Sequence, residues 1–291
     1  MSGTLEKVVA YMTHYEYNIP VLQETYDKFK QMFEEDGFDV EVDDLDKLIM
    51  TDPYLALKVI LKVSHLKKTN LHADVDSIKK AILLLGTKNI LSIVLSSTVM
   101  IQNDWINLAV KRAVFAANIS KRFSEIRYDI RPSEVAVSTL LADLGELMIW
   151  TFKPQLALAV TQKMMTRECL RNYQAQLAVF GFRYNELSYN LAKAWRLPEP
   201  IVNFLEHKER EHLRERLSHL CVDVARHVYG IEGYKEIPGD IEKLKETMET
   251  NDSNEILDVL RLWTILPDDQ YAYIVHQINH KDEDPELVKQ S

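Results

Sequence analysis

Ser138-Thr139-Leu140-Leu141-Ala142-Asp143-Leu144-Gly145-Glu146-Leu147-Met148-Ile149-Trp150 is the stretch on which the reading of the fold turns. Leu140, Leu141, Leu144, Leu147 and Met148 recur at three- and four-residue steps, so the run reads as one helix with a broad apolar stripe. A stripe of that width must be buried, and the rest of the chain is expected to be organised around it.

Working outward, the same periodicity appears almost everywhere. Short helices are expected over Thr4–Thr13 and from Tyr26 to Phe33, the second stopped by Gly37. Asp43 or Asp44 is expected to cap a helix running through Met50. Asp52-Pro53 then starts another, with the aspartate as cap and the proline in the first turn. Further helices are predicted over Ser77–Leu85, Thr87–Met100, Trp105–Phe123, Pro154–Met165, Glu168–Phe180, Tyr184–Ala194, from His207 to Tyr229, and over Asp240–Glu249, Ser253–Leu266 and Asp268–Asn279. With only 8 Gly and 9 Pro in 291 residues the chain lacks the turn residues of a β-rich protein. The fold class is therefore all-α: an N-terminal helical subdomain (1–102) packed on a helical bundle (103–229), followed by C-terminal helices and a polar tail (230–291).

Composition sets the function classes. A net charge of -9 with no basic arm speaks against a nucleic-acid partner. No uninterrupted apolar run reaches bilayer length, Lys79, Lys80 and Lys88 breaking the most apolar region, and no basic-then-apolar leader opens the chain. Cys169 and Cys221 stand apart in no ligand spacing, as reduced thiols do, so a cytoplasmic protein is expected. No glycine-rich phosphate loop or nucleophile elbow occurs, and Trp105, Trp150, Trp195 and Trp263 are read as core anchors. Lys111, Arg112, Lys121, Arg122, Arg127 and Arg131 form a basic series, read either as a solvated helix face or as a site for an acidic or phosphate-bearing ligand.

The opening stretch also resembles the signature helix of the HD superfamily of metal-dependent phosphohydrolases, Leu-Leu-His-Asp-Ile-Gly-Lys-Leu. Asp143, Gly145 and the leucines fit it, but Ala142 stands where the metal-binding histidine would be. Three further blocks resemble the HDOD domain, a divergent branch of that superfamily: Ile19-Pro20-Val21-Leu22-Gln23-Glu24-Thr25, Asp52-Pro53-Tyr54-Leu55, and Ser77-Ile78-Lys79-Lys80-Ala81-Ile82-Leu83-Leu84-Leu85-Gly86. Tyr184 to Ile201 is similar to a fourth block, with Trp195, Leu197, Pro198 and Ile201 in place, Tyr184 on the family histidine, Ser188 on its glycine, and His207 followed by Lys208 on its His-His pair. The resemblance runs from Ile19 to Asp223.

It implies an HD-like bundle whose vestigial ligand positions are Ala142, Asp143, Tyr184, His207 and Asp223, with the first-ligand position falling on Asn107 or Arg112. No histidine occurs from Ala73 through Glu206, which leaves two carboxylates, Asp143 and Asp223, and no imidazole to join them. No metal and no cofactor are expected. What the resemblance implies is a non-catalytic bacterial signal-transduction module that acts by binding a signalling protein or ligand; the competing reading is a metal-dependent phosphohydrolase with atypical ligands. Two surfaces are candidates for binding: the series from Lys111 to Arg131, and the junction of the two subdomains near the Asp52-Pro53 helix and the Lys67–Asp74 loop, where Lys67 and Lys68 are the residues singled out.

Overall fold

The structure, a computed structural model, describes residues 2–37, 39–66, 75–127, 129–206, 212–230 and 233–279. Helices account for nearly all of it: α1 (Ser2–His14), α2 (Gln23–Asp36), α3 (Val42–Ile49), α4 (Pro53–Leu66), α5 (Ile78–Leu85), α6 (Thr87–Leu95), α7 (Asp104–Ile126), α8 (Pro132–Leu140), α9 (Leu144–Phe152), α10 (Pro154–Met165), α11 (Asn172–Phe180), α12 (Tyr184–Ala194), α13 (Glu199–Leu205), α14 (Leu213–Val228), α15 (Ile237–Met248), α16 (Ser253–Leu260) and α17 (Asp268–Asn279). The β-structure among the described residues is one two-residue parallel pair, β1 (Val21–Leu22) with β2 (Val99–Met100), in the register Val21 to Val99 and Leu22 to Met100.

The all-α reading holds, and the opening stretch is central as expected: Leu140, Leu141, Leu144, Leu147, Met148 and Ile149 are all at most 1% exposed. Burying each such side chain contributes about 1.5–3 kcal/mol. Residues 132–152 are long and apolar enough to cross a bilayer, but 72% of the most apolar window is buried inside the bundle. The stretch is not one helix, however. Residues 141–143 form a turn in which Ala142 N–H donates to the Thr139 carbonyl and Leu144 N–H to that of Leu141, the tight three-residue step rather than the four-residue one. Thr139 Oγ1 donates back to the carbonyls of Val135 and Ala136 in the turn before, the local competition that bends helices.

Long α7 is the hub, packed on α8, α14, α9, α16 and α4. Asn103 caps it, its side chain accepting from the N–H groups of Trp105 and Ile106. Ala109, Ala113, Ala116 and Ala117 are buried along it, small enough to let α8 approach until Ser120 and Thr139 hydroxyls meet at 2.8 Å. α1 crosses to lie on α12, with Met12 fully buried.

Other expectations need correction: α11 begins at Asn172 rather than Glu168, and α16 ends at Leu260 rather than Leu266. The helix from Thr87 stops at Leu95, because Ser96 and Ser97 hydroxyls bond the Ser92 and Ile93 carbonyls and the chain turns into β2 instead of running to Met100. Asp43 and Asp44 lie inside the first turn of α3 and do not cap it; Glu41 holds the cap position. Of the tryptophans, Trp150 and Trp195 are buried, but Trp263 is 45% exposed.

Asp52 is the best example of a short motif explained by its surroundings. Its Oδ1 caps α4 by accepting from Tyr54 and Leu55 N–H at 2.9 and 3.0 Å, while Oδ2 accepts from Leu22 N–H of β1 at 2.8 Å. One carboxyl thus ties the start of α4 to a strand thirty residues earlier. Asp52→Asn keeps the shape but turns an amide NH2 toward one set of donors, and a loss of about 1–3 kcal/mol is expected. Burial pushes the Asp52 carboxyl up from 3.8 to about 6, against the backbone donors that lower it. With the folded value above the unfolded one, its proton-linked stability is full below pH 3.8 and is lost as pH rises through about 6. Urea melts at successive pH values are therefore expected to show the gap between wild type and Asp52→Asn narrowing as pH rises. A gap that widens would mean that the N–H donors outweigh burial.

Candidate functional site

Asp143 sits in the turn between α8 and α9, and the bend there turns its carboxylate toward two other helices. Arg112, from the middle of α7, donates from Nε to Asp143 Oδ2 at 2.9 Å and from Nη2 to Glu146 Oε2 at 2.5 Å. Arg226, in the last turn of α14, donates from Nη2 to Asp143 Oδ1 at 2.7 Å and from Nη1 to Asp223 Oδ1 at 3.3 Å. Both oxygens of Asp143 are therefore held by guanidinium groups from opposite sides. The side chains of Asp143, Arg112 and Glu146 are 10%, 13% and 17% exposed, whereas that of Arg226 is 44% exposed and closes the cluster from the solvent side.

Burial works against the charge on Asp143, but the Arg226 and Arg112 charges and their hydrogen bonds outweigh it and hold the carboxyl well below its usual range. Glu146 moves the other way: burial, with the Asp143 charge adding to it, raises its pKa despite Arg112. Arg112 is likewise opposed by burial, and Glu146 and Asp143 keep its proton on more firmly than in water. Tyr184, the first residue of α12, stands 9% exposed nearby, its phenol pushed up by burial and then by the Glu146 charge.

Gly145 lets α12 come this close. A Cβ there would meet the Tyr184 carbonyl oxygen at 2.2 Å and the Ser188 hydroxyl at 3.1 Å. Ser188 Oγ accepts from Gly145 N–H at 2.8 Å and donates to the Tyr184 carbonyl at 3.0 Å. The N–H of Gly145 is one that the first turn of α9 leaves without an intrahelical partner, so a serine from another helix serves as its cap.

The sequence matches the family model of the HDOD domain over residues 19–211. The chain belongs to the HDOD family. No curated protein sequence matches it. Among solved structures it is similar to the MmoQ response regulator of Methylococcus capsulatus, with TM-score 0.67 and 19% identity over 84% of this chain and 98% of that one. It is also similar to a virulence factor of Campylobacter jejuni, with TM-score 0.68 and 16% identity over 93% of this chain and 98% of that one. At these identities the likeness is one of fold.

In this HDOD protein the positions singled out from sequence are only partly brought together. Asp143, Arg112 and Asp223 join one cluster, with Tyr184 at its edge; Ala142 is half-buried against the core. His207, with Lys67 and Lys68, lies outside the described residues. Arg112 is not part of a solvated basic face: one helical step from exposed Lys111, it turns inward to the two carboxylates. Lys121 lines a small hollow with Asp46 and Lys47, while Lys111 and Arg122 line a larger one that adjoins it at Thr51, Val114 and Asn118. That larger cleft, about 720 Å³, opens where β1 and α2 face the outer side of α7 and the segment after α16.

Sequence reading missed Arg226 and Glu146 as site residues. One signal was present: Asp143 and Glu146 are two carboxylates three residues apart on an otherwise apolar stretch, and buried carboxylates demand cations.

Proposed function

We propose that this HDOD protein is a non-catalytic regulatory module of bacterial signal transduction, acting by binding a signalling protein or ligand. The observation that carries the reading is the pair of guanidinium groups on Asp143. A divalent ion needs lone pairs that are free to converge on it. Here both Asp143 oxygens already accept, and an ion would have to displace the guanidinium groups that hold them. Ala142 and Tyr184 occupy places where the resemblance puts imidazoles, and among the described residues no three His, Cys, Asp or Glu side chains gather as a metal-binding group. These residues do not fit the metal that HD hydrolases use.

Protein purified without a polyhistidine tag, exposed to Mn²⁺, Zn²⁺ or Mg²⁺ and desalted, is expected to carry no stoichiometric metal by elemental analysis. The same samples should show no turnover of phosphomonoesters or cyclic dinucleotides. Stoichiometric metal together with turnover, both abolished by Asp143→Ala, would replace this reading with a phosphohydrolase that rearranges its arginines.

A further inference from the structure

If the old catalytic position is filled by the protein's own cations, a ligand must enter elsewhere, and the cleft between α2 and α7 is the strongest place in the structure for one. Four cationic side chains line it, Lys28, Lys111, Arg122 and Arg261, against a single acid, Glu24. Glu24 is already bonded to Lys28 at 2.5 Å. Among the described residues Lys111, Arg122 and Arg261 have no carboxylate within ion-pair distance. Three cations without an ion-pair partner gather in one concavity, Arg122 having Glu125 only at longer range, on a chain whose net charge is -9.

The geometry sharpens the point. Arg122 gives one N–H to the Val259 carbonyl at 3.1 Å, leaving most of its five donors unused. Arg261 ends α16 in the left-handed conformation at φ 51°, close enough for its charge, after burial, to lower the pKa of Arg122. Like charges held together across two helices are a cost that a bound anion removes. Between Lys111 and Arg122 along α7, Phe115 packs edge to face with Tyr229, centroids 5.9 Å apart, and the side-chain amides of Asn107 and Asn118 line the same helix. Cations match phosphate oxygens, and an aromatic wall with amides matches a base. A volume of about 720 Å³ is that of a small-molecule site.

We propose that this cleft binds a nucleoside di- or triphosphate, its phosphates on Arg122 and Arg261, its base against Tyr229 and the neighbouring amides, and Lys111 adding positive charge at the other end. The proposal rests on reading the chain as a binding module, and the two are separable. Nucleotide hydrolysis lost on Asp143→Ala would overturn that reading, whereas loss of binding on changing the cleft tests only the cleft.

The test is calorimetric titration of the full chain with ATP, ADP, GTP and GDP, and with sodium pyrophosphate for the phosphates alone. At least one nucleotide is expected to bind, more weakly as salt rises. Lys111→Glu and Arg261→Gln should each weaken it by about tenfold or more. Lys121→Glu, on the same helix but facing the other hollow, should leave affinity unchanged. Circular dichroism and thermal melts keep folding defects apart from binding defects, and exposed Lys111 is the variant least exposed to that confusion. No binding of any nucleotide by the folded protein, or affinity indifferent to both cleft variants, would overturn the proposal. Pyrophosphate bound as tightly as the nucleoside diphosphates would overturn the base contact and with it the nucleotide assignment.

Discussion

Arg112→Ala is expected to cost about 3–5 kcal/mol, the loss typical of breaking a buried ion pair by removing one partner. Without it Glu146 loses its ion pair, and Asp143 keeps only Arg226, while both carboxylates stay mostly out of water. Arg226→Ala removes a contact to the same Asp143, yet should cost only about 1 kcal/mol, because that side chain is 44% exposed and water takes over much of its role. Equilibrium urea unfolding of the two variants checks the contrast. The pH dependence checks its cause. In the wild type the depressed Asp143 pKa contributes stability that is present above 3.8 and is lost as pH falls through the folded value. In Arg112→Ala burial is opposed by Arg226 alone, so Asp143 and Glu146 hold their protons more firmly than in the wild type. The gap between wild type and variant should therefore shrink on acidification. A gap constant with pH would mean that Arg112 supports the bundle by packing rather than charge.

Gly145→Ala is expected to be nearly as damaging, at about 3 kcal/mol, the upper end of ordinary overpacking. The new methyl would overlap the Tyr184 carbonyl at 2.2 Å, and that oxygen belongs to helix backbone that cannot swing aside as a side-chain tip can. Shortening the neighbour with Ser188→Gly should not rescue it, because the hydroxyl at 3.1 Å is the lesser obstacle. Ser188→Ala alone should cost about 1–3 kcal/mol by leaving the Gly145 N–H without an acceptor. Thermal melts of the single and double variants decide it; rescue by Ser188→Gly would place the conflict on the side chain instead.

What could be read from sequence was mostly what is local. Ser77 and Gly86 bracket a helix, and the structure puts Ser77 Oγ on the Lys80 N–H and Gly86 at φ 79°, so both ends were written in residue type. The same holds for Asp52-Pro53 and for the exact span of Pro154–Met165. Periodicity could not show that the apolar run at 138–150 breaks at 141–143, since the stripe continues in phase across the turn while the hydrogen bonds do not. The ion cluster draws on α7, the α8–α9 turn and α14, and no window of sequence contains all three. Arg112 shows the limit most clearly: a basic residue among basic residues looks solvated until the carboxylates that claim it are located. Trp263 shows it in reverse, a large apolar side chain left at the surface by a short turn after α16.

The seating of α1 on α12 also sets a timetable. α1 has its partner in residues 184–194, so after it leaves the ribosome it must wait while the chain between them is made. At typical synthesis rates that delay is on the order of ten seconds or more. Through that interval Leu5, Val8, Val9 and Met12, which the finished protein packs against or within its core, lack α12 to cover them. Docking α1 closes a contact of high sequence separation, the kind that forms late because loop entropy opposes it. α1 is thus carried in the nascent chain as an amphipathic helix whose main partner has yet to be made, and its seating on α12 comes late.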